Sequence, residues 1–171
     1  MEINPKNNQK PILGVMGPGD DCPPEVGNTA FEIGQLIAEN GWVTLSGGRN
    51  SGVMDAVCEG AKSRNGVTIG ILPGNDTNEA SEYLDYPIVT GMGSARNNIN
   101  VLTADIIVAC GIGAGTASEI SLAVKAGKPV VLLNAGKTAI QFFKSLDQRL
   151  LKQADSPTEA IELIKKYLGE S

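Results

Sequence analysis

The sequence of 171 residues contains no histidine. Imidazole is the usual general base near neutral pH and the commonest metal ligand, so its absence excludes a Ser-His-Asp triad and a His-ligated metal. The three cysteines, Cys22, Cys58 and Cys110, fit no spacing that is typical of a metal site. We therefore predict no metal bound directly by the chain, and reduced thiols in a cytoplasmic location.

Basic residues and long apolar runs are also scarce. Lys and Arg number 14 against 19 Asp and Glu, and a net charge of −5 argues against nucleic-acid binding through a basic surface. No apolar run approaches the roughly 18 residues that a transmembrane helix needs. Residues 1–10 are too polar for an export signal. The sequence predicts one cytoplasmic domain over residues 1–171, flexible over residues 1–10, with no membrane or nucleic-acid partner.

Aromatic residues make up only 4% of the chain, so the predicted core is aliphatic and suits a parallel sheet with both faces covered. Short runs of Val, Ile and Leu alternate with segments of helical periodicity, from residues 11–16 to residues 157–168. This alternation predicts an α/β fold: a Rossmann-like, doubly wound parallel sheet in a three-layer α/β/α arrangement. Residues 73–86 have no predicted structure, which indicates a lid or binding loop.

Glycine, by contrast, is abundant, with 21 residues, and two glycine clusters each follow a predicted strand and precede a predicted helix. The first cluster is residues 46–52 and the second is residues 111–116. Glycine turns at helix N-termini present unpaired backbone amides and a partial positive charge, which suit a phosphate group. Because the carboxyl ends of parallel strands share one edge of a sheet, both clusters are predicted to form one anion site.

Two familiar nucleotide motifs do not describe these clusters. Neither cluster is a Walker A motif, because no Gly-Lys-Ser/Thr follows. Gly111 and Gly113 match the start of the dinucleotide fingerprint, but Thr116 stands at its third position and the loop comes late in the chain. Glycines that only make sharp turns are the structural alternative.

Together with Arg96 and Glu119, the clusters resemble a superfamily over residues 12–146. It contains the Lonely Guy phosphoribohydrolases, once called lysine decarboxylases, and the molybdenum cofactor carrier proteins. In the hydrolases the second loop reads Pro-Gly-Gly-x-Gly-Thr-x-x-Glu, and an Arg-Lys pair precedes it. The positions that match are Arg96, Gly113, Gly115, Thr116 and Glu119.

The chain departs from the hydrolase motif at four positions. Gly111 stands in place of the proline, and Ile112 in place of the first glycine. Asn97 replaces the lysine of the pair, and Ser118 replaces the first of two adjacent glutamates. The resemblance implies N-glycosidic cleavage of a nucleoside monophosphate in the hydrolase branch, and binding of a pterin phosphate without turnover in the carrier branch. The altered motif favours the carrier branch.

We therefore predict a protein that binds a phosphate-bearing small molecule. The ligand that the resemblance implies is the molybdenum cofactor, held by a carrier or storage protein that forms a homo-oligomer, a dimer or tetramer. One alternative is a nucleoside 5′-monophosphate phosphoribohydrolase of the cytokinin-activating Lonely Guy type, with Arg96 and Glu119 catalytic; another is a nucleotide-sensing regulatory domain. The predicted binding residues are Ser46, Gly47, Gly48, Arg49, Gly52, Arg96, Asn97, Gly113, Ala114, Gly115, Thr116, Ser118 and Glu119.

Several of these residues also have an ordinary structural explanation. Glu119 lies where the dipole of a helix favours a carboxylate. Arg96 suits a surface salt bridge and Arg49 a solvated position, while Thr116 and Ser118 are common capping residues.

Overall fold

The computed structural model describes residues 9–170, so the predicted flexibility of residues 1–8 lies outside the described residues. Strands and helices alternate along the described part. The strands are β1 (Ile12–Met16), β2 (Val43–Ser46), β3 (Val67–Leu72), β4 (Tyr86–Val89), β5 (Ile106–Cys110), β6 (Val130–Leu133) and β7 (Leu151–Gln153). The helices are α1 (Pro24–Glu39), α2 (Gly52–Ser63), α3 (Asn97–Thr103), α4 (Ala114–Lys125), α5 (Lys137–Leu146) and α6 (Pro157–Leu168), with a short 3₁₀ helix at Gly93–Arg96.

The strands form one parallel sheet in the order β4-β3-β2-β1-β5-β6-β7. β1 lies between β2 and β5, with Leu13 paired to Ile106 and Met16 paired to Ala109. The strand order runs outward in opposite directions from this junction. In open α/β sheets ligands bind at such a switch point, outside the carboxyl ends of the strands.

Two hydrophobic cores lie on opposite faces of the sheet. Helices α1, α2 and α6 cover one face, and helices α3, α4 and α5 cover the other. Alternate residues of β5 enter the two cores: Ile106, Val108 and Cys110 enter the first, Ile107 and Ala109 the second. The predicted doubly wound sheet with three layers is confirmed.

Some boundaries differ from the sequence prediction. Helix α4 begins at Ala114 instead of residue 117, so that Gly115 and Thr116 belong to its first turn. Strand β4 begins at Tyr86, two residues before the predicted strand, and all four of its residues are exposed, so no burial pattern marks it. Strand β7 was not predicted, because it is three residues long and only Leu151 is buried.

Helices α1 and α2 approach each other through two glycines. A methyl group at Gly34 would overlap the carbonyl oxygen of Val57, and one at Gly60 would overlap the carbonyl oxygen of Phe31. Only hydrogen atoms fit between the two backbones at these points. The close packing fixes α2, and with it the turn that precedes α2, against the rest of the fold.

The long segment between β3 and β4 is anchored rather than free. The amide of Asn50 donates to the Glu79 carbonyl at 2.8 Å, and the amide of Ser81 donates to the Gly48 carbonyl at 2.9 Å. Residues 73–85 are thereby held by backbone bonds to the first glycine cluster. Among the residues described, no helix combines the length and apolarity needed to cross a bilayer.

Candidate functional site

A cleft of about 640 Å³ lies outside the carboxyl ends of β1, β2 and β5. Its volume is within the range of about 300–1,000 Å³ that is usual for small-molecule sites. Both glycine clusters line it, the first through Gly47 and Arg49, the second through residues 112–116. The turn that carries Arg96 closes another side. The two clusters are therefore on the same side of the molecule and face one space.

The N-terminus of α4 points its first amides at this cleft. Gly113 is the capping residue, and no side chain within residues 9–170 accepts a hydrogen bond as its cap. The first three amides of any α-helix lack acceptors inside the helix. Thr116 is one of the lining residues and is 2% exposed, and its buried hydroxyl has no hydrogen-bond partner among the described residues. A buried donor without an acceptor is costly, so this turn is suited to a ligand that supplies an acceptor.

Arg96 supplies the buried positive charge of the cleft. Its Nη1 donates to Asn97 Oδ1 at 2.6 Å and lies 3.5 Å from Glu119 Oε1, and its side chain is 11% exposed. Its buried Nε has no acceptor in the described part of the chain. Burial lowers the pKa of Arg96; Glu119 opposes that change, and the positive charge of Arg49 adds to it. An anion bound here would raise the pKa of Arg96 again, because a nearby negative charge favours the protonated guanidinium.

Gly47 leaves the space that the Arg96 guanidinium occupies. A Cβ at this position would lie 2.6 Å from Arg96 Nη2 and 2.7 Å from Met54 Sδ, closer than real contacts allow. The first glycine cluster therefore serves the site chiefly by leaving room for the guanidinium.

Glu119 lies at the floor of the cleft. It is 5% exposed, and its Oε1 accepts a hydrogen bond from Asn100 Nδ2 at 2.8 Å. Burial raises the pKa of Glu119, while the Asn100 hydrogen bond and the charge of Arg96 oppose the rise. The carboxyl group is thus the countercharge of Arg96 and can also accept a hydrogen bond from a ligand.

Two amides of the first glycine cluster, those of Gly48 and Asn50, have acceptors within the described part of the protein. Gly48 donates to Ser46 Oγ at 3.1 Å, and Val53 at the start of α2 donates to the Pro18 carbonyl at 3.0 Å. Ser46 is fully buried, where its hydroxyl faces Cys58 Sγ at 3.5 Å. Gly47 and Arg49 are the residues of this cluster that line the cleft, and the binding of an anion by its remaining amides stays a prediction.

Arg49 is paired with carboxylates at the rim of the cleft. Its Nε lies 3.3 Å from Glu79 Oε2, and its Nη2 lies 3.6 Å from Asp20 Oδ2. Both carboxylates are exposed, and such pairs contribute only about 0–1 kcal/mol. Arg49 can therefore exchange these partners for a ligand anion at little cost.

The predicted residues divide into two groups. Four lie outside the lining of the cleft: Ser46 and Gly48, which are buried, Gly52, which is half-buried, and Ser118, which is exposed. The others line it: Gly47, Arg49, Arg96, Asn97, Gly113, Ala114, Gly115, Thr116 and Glu119.

The turn between β1 and α1 was missed as part of the site. Residues 17–21 line the cleft, and Pro18 packs against Gly113 at the start of α4. Asp20 in this turn accepts a hydrogen bond from Ser51 Oγ at 2.6 Å, which with Arg49 holds its pKa below the usual range. The available signal was its position: it follows a buried strand at the same edge as the glycine clusters.

The thiols and carboxylates form no second reactive centre in the described residues. No group of three or more potential ligands within residues 9–170 could hold a metal ion. Burial raises the pKa of Cys58 to about 11 and that of Cys110 to about 12, so both thiols are inert.

A parallel doubly wound sheet with an anion-suited cleft at its switch point defines a Rossmann-like binding protein. The chain belongs to the SLOG cluster4 family, whose model matches residues 10–161. It is 51% identical to the molybdenum cofactor binding protein of the phototrophic bacterium Rippkaea orientalis, with a TM-score of 0.92 over 94% of this chain and 98% of that one.

Two further relatives show how far the likeness extends. The molybdenum cofactor carrier protein MCP of Chlamydomonas reinhardtii is 49% identical, with a TM-score of 0.90 over 94% of this chain and 99% of that one. An uncharacterized protein of Archaeoglobus fulgidus is 43% identical over 121 residues, which are 71% of this chain and 78% of that protein.

Proposed function

We propose that this protein binds the molybdenum cofactor and holds it as a carrier or storage protein. The observation that carries the proposal is the cleft in which Arg96, the unpartnered Thr116 hydroxyl and the open N-terminus of α4 come together. Two proteins that are 51% and 49% identical to this chain are named for this ligand, which supports the assignment.

The composition of the cleft suits a pterin that carries a phosphate. Arg96, Thr116 and the first amides of α4 would hold the phosphate group. Apolar side chains of Met16, Met54 and Ile112 also line the cleft and offer contact area for a flat ring system.

The surroundings of Glu119 support holding over turnover. Its carboxyl group is engaged by Asn100 and lies beside Arg96, so it is already occupied in stabilising the guanidinium. The neighbouring Asn97 and Ser118 are uncharged and provide no acid or base.

Equilibrium dialysis under anaerobic conditions tests the proposal, with molybdenum and pterin measured on both sides of the membrane. We expect binding at micromolar concentration or tighter by the wild type and by the control Arg64→Gln, whose side chain pairs with Glu39 away from the cleft. Arg96→Gln should bind about tenfold or more weakly, because a charge-assisted hydrogen bond is lost. Absence of binding, or no preference over guanosine monophosphate, would refute the proposal.

A hydrolase is the second candidate, because Arg96 and Glu119 lie 3.5 Å apart at one wall of the cleft. Incubation with adenosine monophosphate would then release adenine. The Glu119→Ala variant separates the candidates: equal release by wild type and variant rules out this role for Glu119.

We also propose that the protein is a cytoplasmic homo-oligomer, a dimer or tetramer, that does not bind nucleic acid. Large exposed apolar side chains support the proposed oligomer. These side chains are Tyr86, Ile88, Val89, Met92, Leu102, Phe142 and Leu146. The net charge of −5 supports the proposal that the protein does not bind nucleic acid. Light scattering coupled to gel filtration tests the oligomeric state, and a mass of 17.8 kDa in solution would contradict it.

A further inference from the structure

The side chain of Asn97 is bonded at both ends. It is 9% exposed, its Oδ1 accepts from Arg96 Nη1 at 2.6 Å, and its Nδ2 donates to Ser118 Oγ at 2.8 Å. Ser118 Oγ in turn donates to the Gly115 carbonyl at 2.7 Å. A hydrogen-bonded chain therefore runs from the guanidinium to the first turn of α4.

The donor and acceptor of every hydrogen bond between Arg96 and Gly115 are fixed by the groups at the two ends of this series. The guanidinium can only donate and the Gly115 carbonyl can only accept. Turning the Asn97 amide over would set its NH₂ group against the guanidinium, so the amide has one favourable orientation. The chain thus joins α3 to α4 and gives the guanidinium a fixed place relative to the α4 amides.

Arg96 has a second acceptor that competes with Asn97. Glu119 Oε1 lies 3.5 Å from the same Nη1, longer than the 2.6 Å contact with Asn97. The ion pair with Glu119 is therefore a long one, and a shorter pair would take up more of the positive charge that a ligand needs. Asn97 keeps the ion pair long by binding the same Nη1 more closely.

We propose that Asn97 and Ser118 are positioning residues that keep Arg96 from closing on Glu119 and fix it beside the N-terminus of α4, so that both act on one phosphate. This inference rests on the proposed function. Both side chains are uncharged, so their contact leaves the positive charge of Arg96 for the ligand.

Fluorescence titration with a phosphomethyl pterin, and with the same pterin after phosphatase treatment, tests the inference. Asn97→Ala should weaken binding of the phosphorylated pterin about tenfold and leave the dephosphorylated one unchanged. Ser118→Ala should weaken it about threefold, because one neutral hydrogen bond is lost. Asn98→Ala is the matched control, since Asn98 is exposed on the same helix and lies outside the cleft.

The double variant Asn97→Ala with Glu119→Gln distinguishes positioning from general damage. With the carboxylate neutralised, Arg96 has nothing to close on, so the double variant should regain most of the lost affinity. Equal loss for both pterins in Asn97→Ala, unchanged affinity, or no recovery in the double variant would each overturn the inference.

A crystal structure of Asn97→Ala gives an answer that does not depend on the ligand. We expect the ion pair between Arg96 and Glu119 to shorten from 3.5 Å to about 3 Å or below. A guanidinium that keeps its present distance overturns the inference, even where the wild type binds the pterin. A wild type that does not prefer the phosphorylated pterin instead contradicts the proposed function.

Discussion

At the scale of single residues, Gly47 decides where the positive charge of the cleft lies. The Arg96 guanidinium packs directly on this glycine, so the absence of a side chain is what the site needs there. In the proposed complex the Thr116 hydroxyl and the α4 amides would bind the same anion as Arg96. Each of these groups is placed by a neighbour that does not touch the ligand.

Gly47→Ala should therefore displace Arg96 and weaken binding of a phosphorylated pterin about tenfold. Gly27→Ala is the matched control, because a methyl group at Gly27 in α1 meets no atom of the described residues outside its own part of the helix within 4 Å. Isothermal titration calorimetry of both variants measures the effect. Equal affinities for the two variants would show that Arg96 does not depend on the glycine.

Glu119 should make the stability of the ligand-free protein fall as the pH rises. Burial raises its pKa above the ordinary value of 4.5. Between the ordinary pKa and the raised one, the Glu119 carboxyl group is deprotonated in the unfolded chain and protonated in the folded protein. The free energy of unfolding therefore decreases with increasing pH in this range. Urea denaturation from pH 4.5 upward should show this decrease in the wild type, and a smaller one in Glu119→Gln.

Other carboxyl groups act in a separate pH range. Asp85 and Asp147 have pKa values below their ordinary 3.8, that of Asp147 about 2. Their contribution is present above pH 3.8 and is lost only as the pH falls through the lowered values. An identical slope above pH 4.5 in wild type and Glu119→Gln would therefore count against the assignment to Glu119.

The sequence predicted the chemistry of the cleft better than its spatial arrangement. Arg96, Thr116 and Glu119 were identifiable because a motif joined them. Ser46 was placed in the site although it is buried, since no pattern in the sequence shows which way a strand-end hydroxyl points. Asp20 was missed because its turn has no motif, only a position.

At the scale of elements, the fold depends on how closely helices pack. Helices α1 and α2 touch backbone to backbone at Gly34 and Gly60, and α2 begins directly behind the Gly47 turn. A larger side chain at either glycine would therefore not fit between the two helices.

Gly34→Ala should destabilise the protein by about 1–3 kcal/mol, the usual cost of overpacking. The added methyl group meets the Val57 carbonyl, which cannot move without shifting α2. Chemical denaturation measures the change, again with Gly27→Ala in the same helix as control. Similar stabilities for these two variants would mean that the helices separate without cost.

The start of α6 is stabilised by a side-chain cap. Ser156 Oγ accepts the Glu159 amide at 3.2 Å, with Pro157 in the first helical position, as the sequence indicated. Ser156→Ala should cost about 1 kcal/mol in the free energy of unfolding. Ser145→Ala, where the hydroxyl bonds to its own helix at Phe142, should cost less; a reversed order would refute the capping role.

Elements with a strong hydrophobic pattern were predictable, and those without one were not. Strand β3 and helix α6 have their predicted bounds, because their apolar residues repeat at the period of the element. Strands β4 and β7 lie at the edges of the sheet, where little is buried. Strand β4 was therefore predicted only for residues 88–89, and β7 was missed.

At the scale of the whole molecule, the decisive feature is the strand order. The alternation of strands and helices predicted a doubly wound sheet, but not which strands adjoin. The pairing of β1 with β5 joins residues more than ninety positions apart, such as Leu13 and Ile106, and only the folded structure reveals it. The cleft exists because of that pairing.

The pairing of β1 with β5 also joins the two halves of the sheet. A ligand that contacts residues of both halves should hold them together. Loading should slow hydrogen exchange at the β1 and β5 amides more than at β4 and β7, in proportion to occupancy. Mass spectrometry of exchanged peptides checks this expectation, and uniform protection would contradict it. The ligand-bound protein would then resist proteolysis longer than the ligand-free protein. The supply of ligand would therefore determine how much of the protein remains.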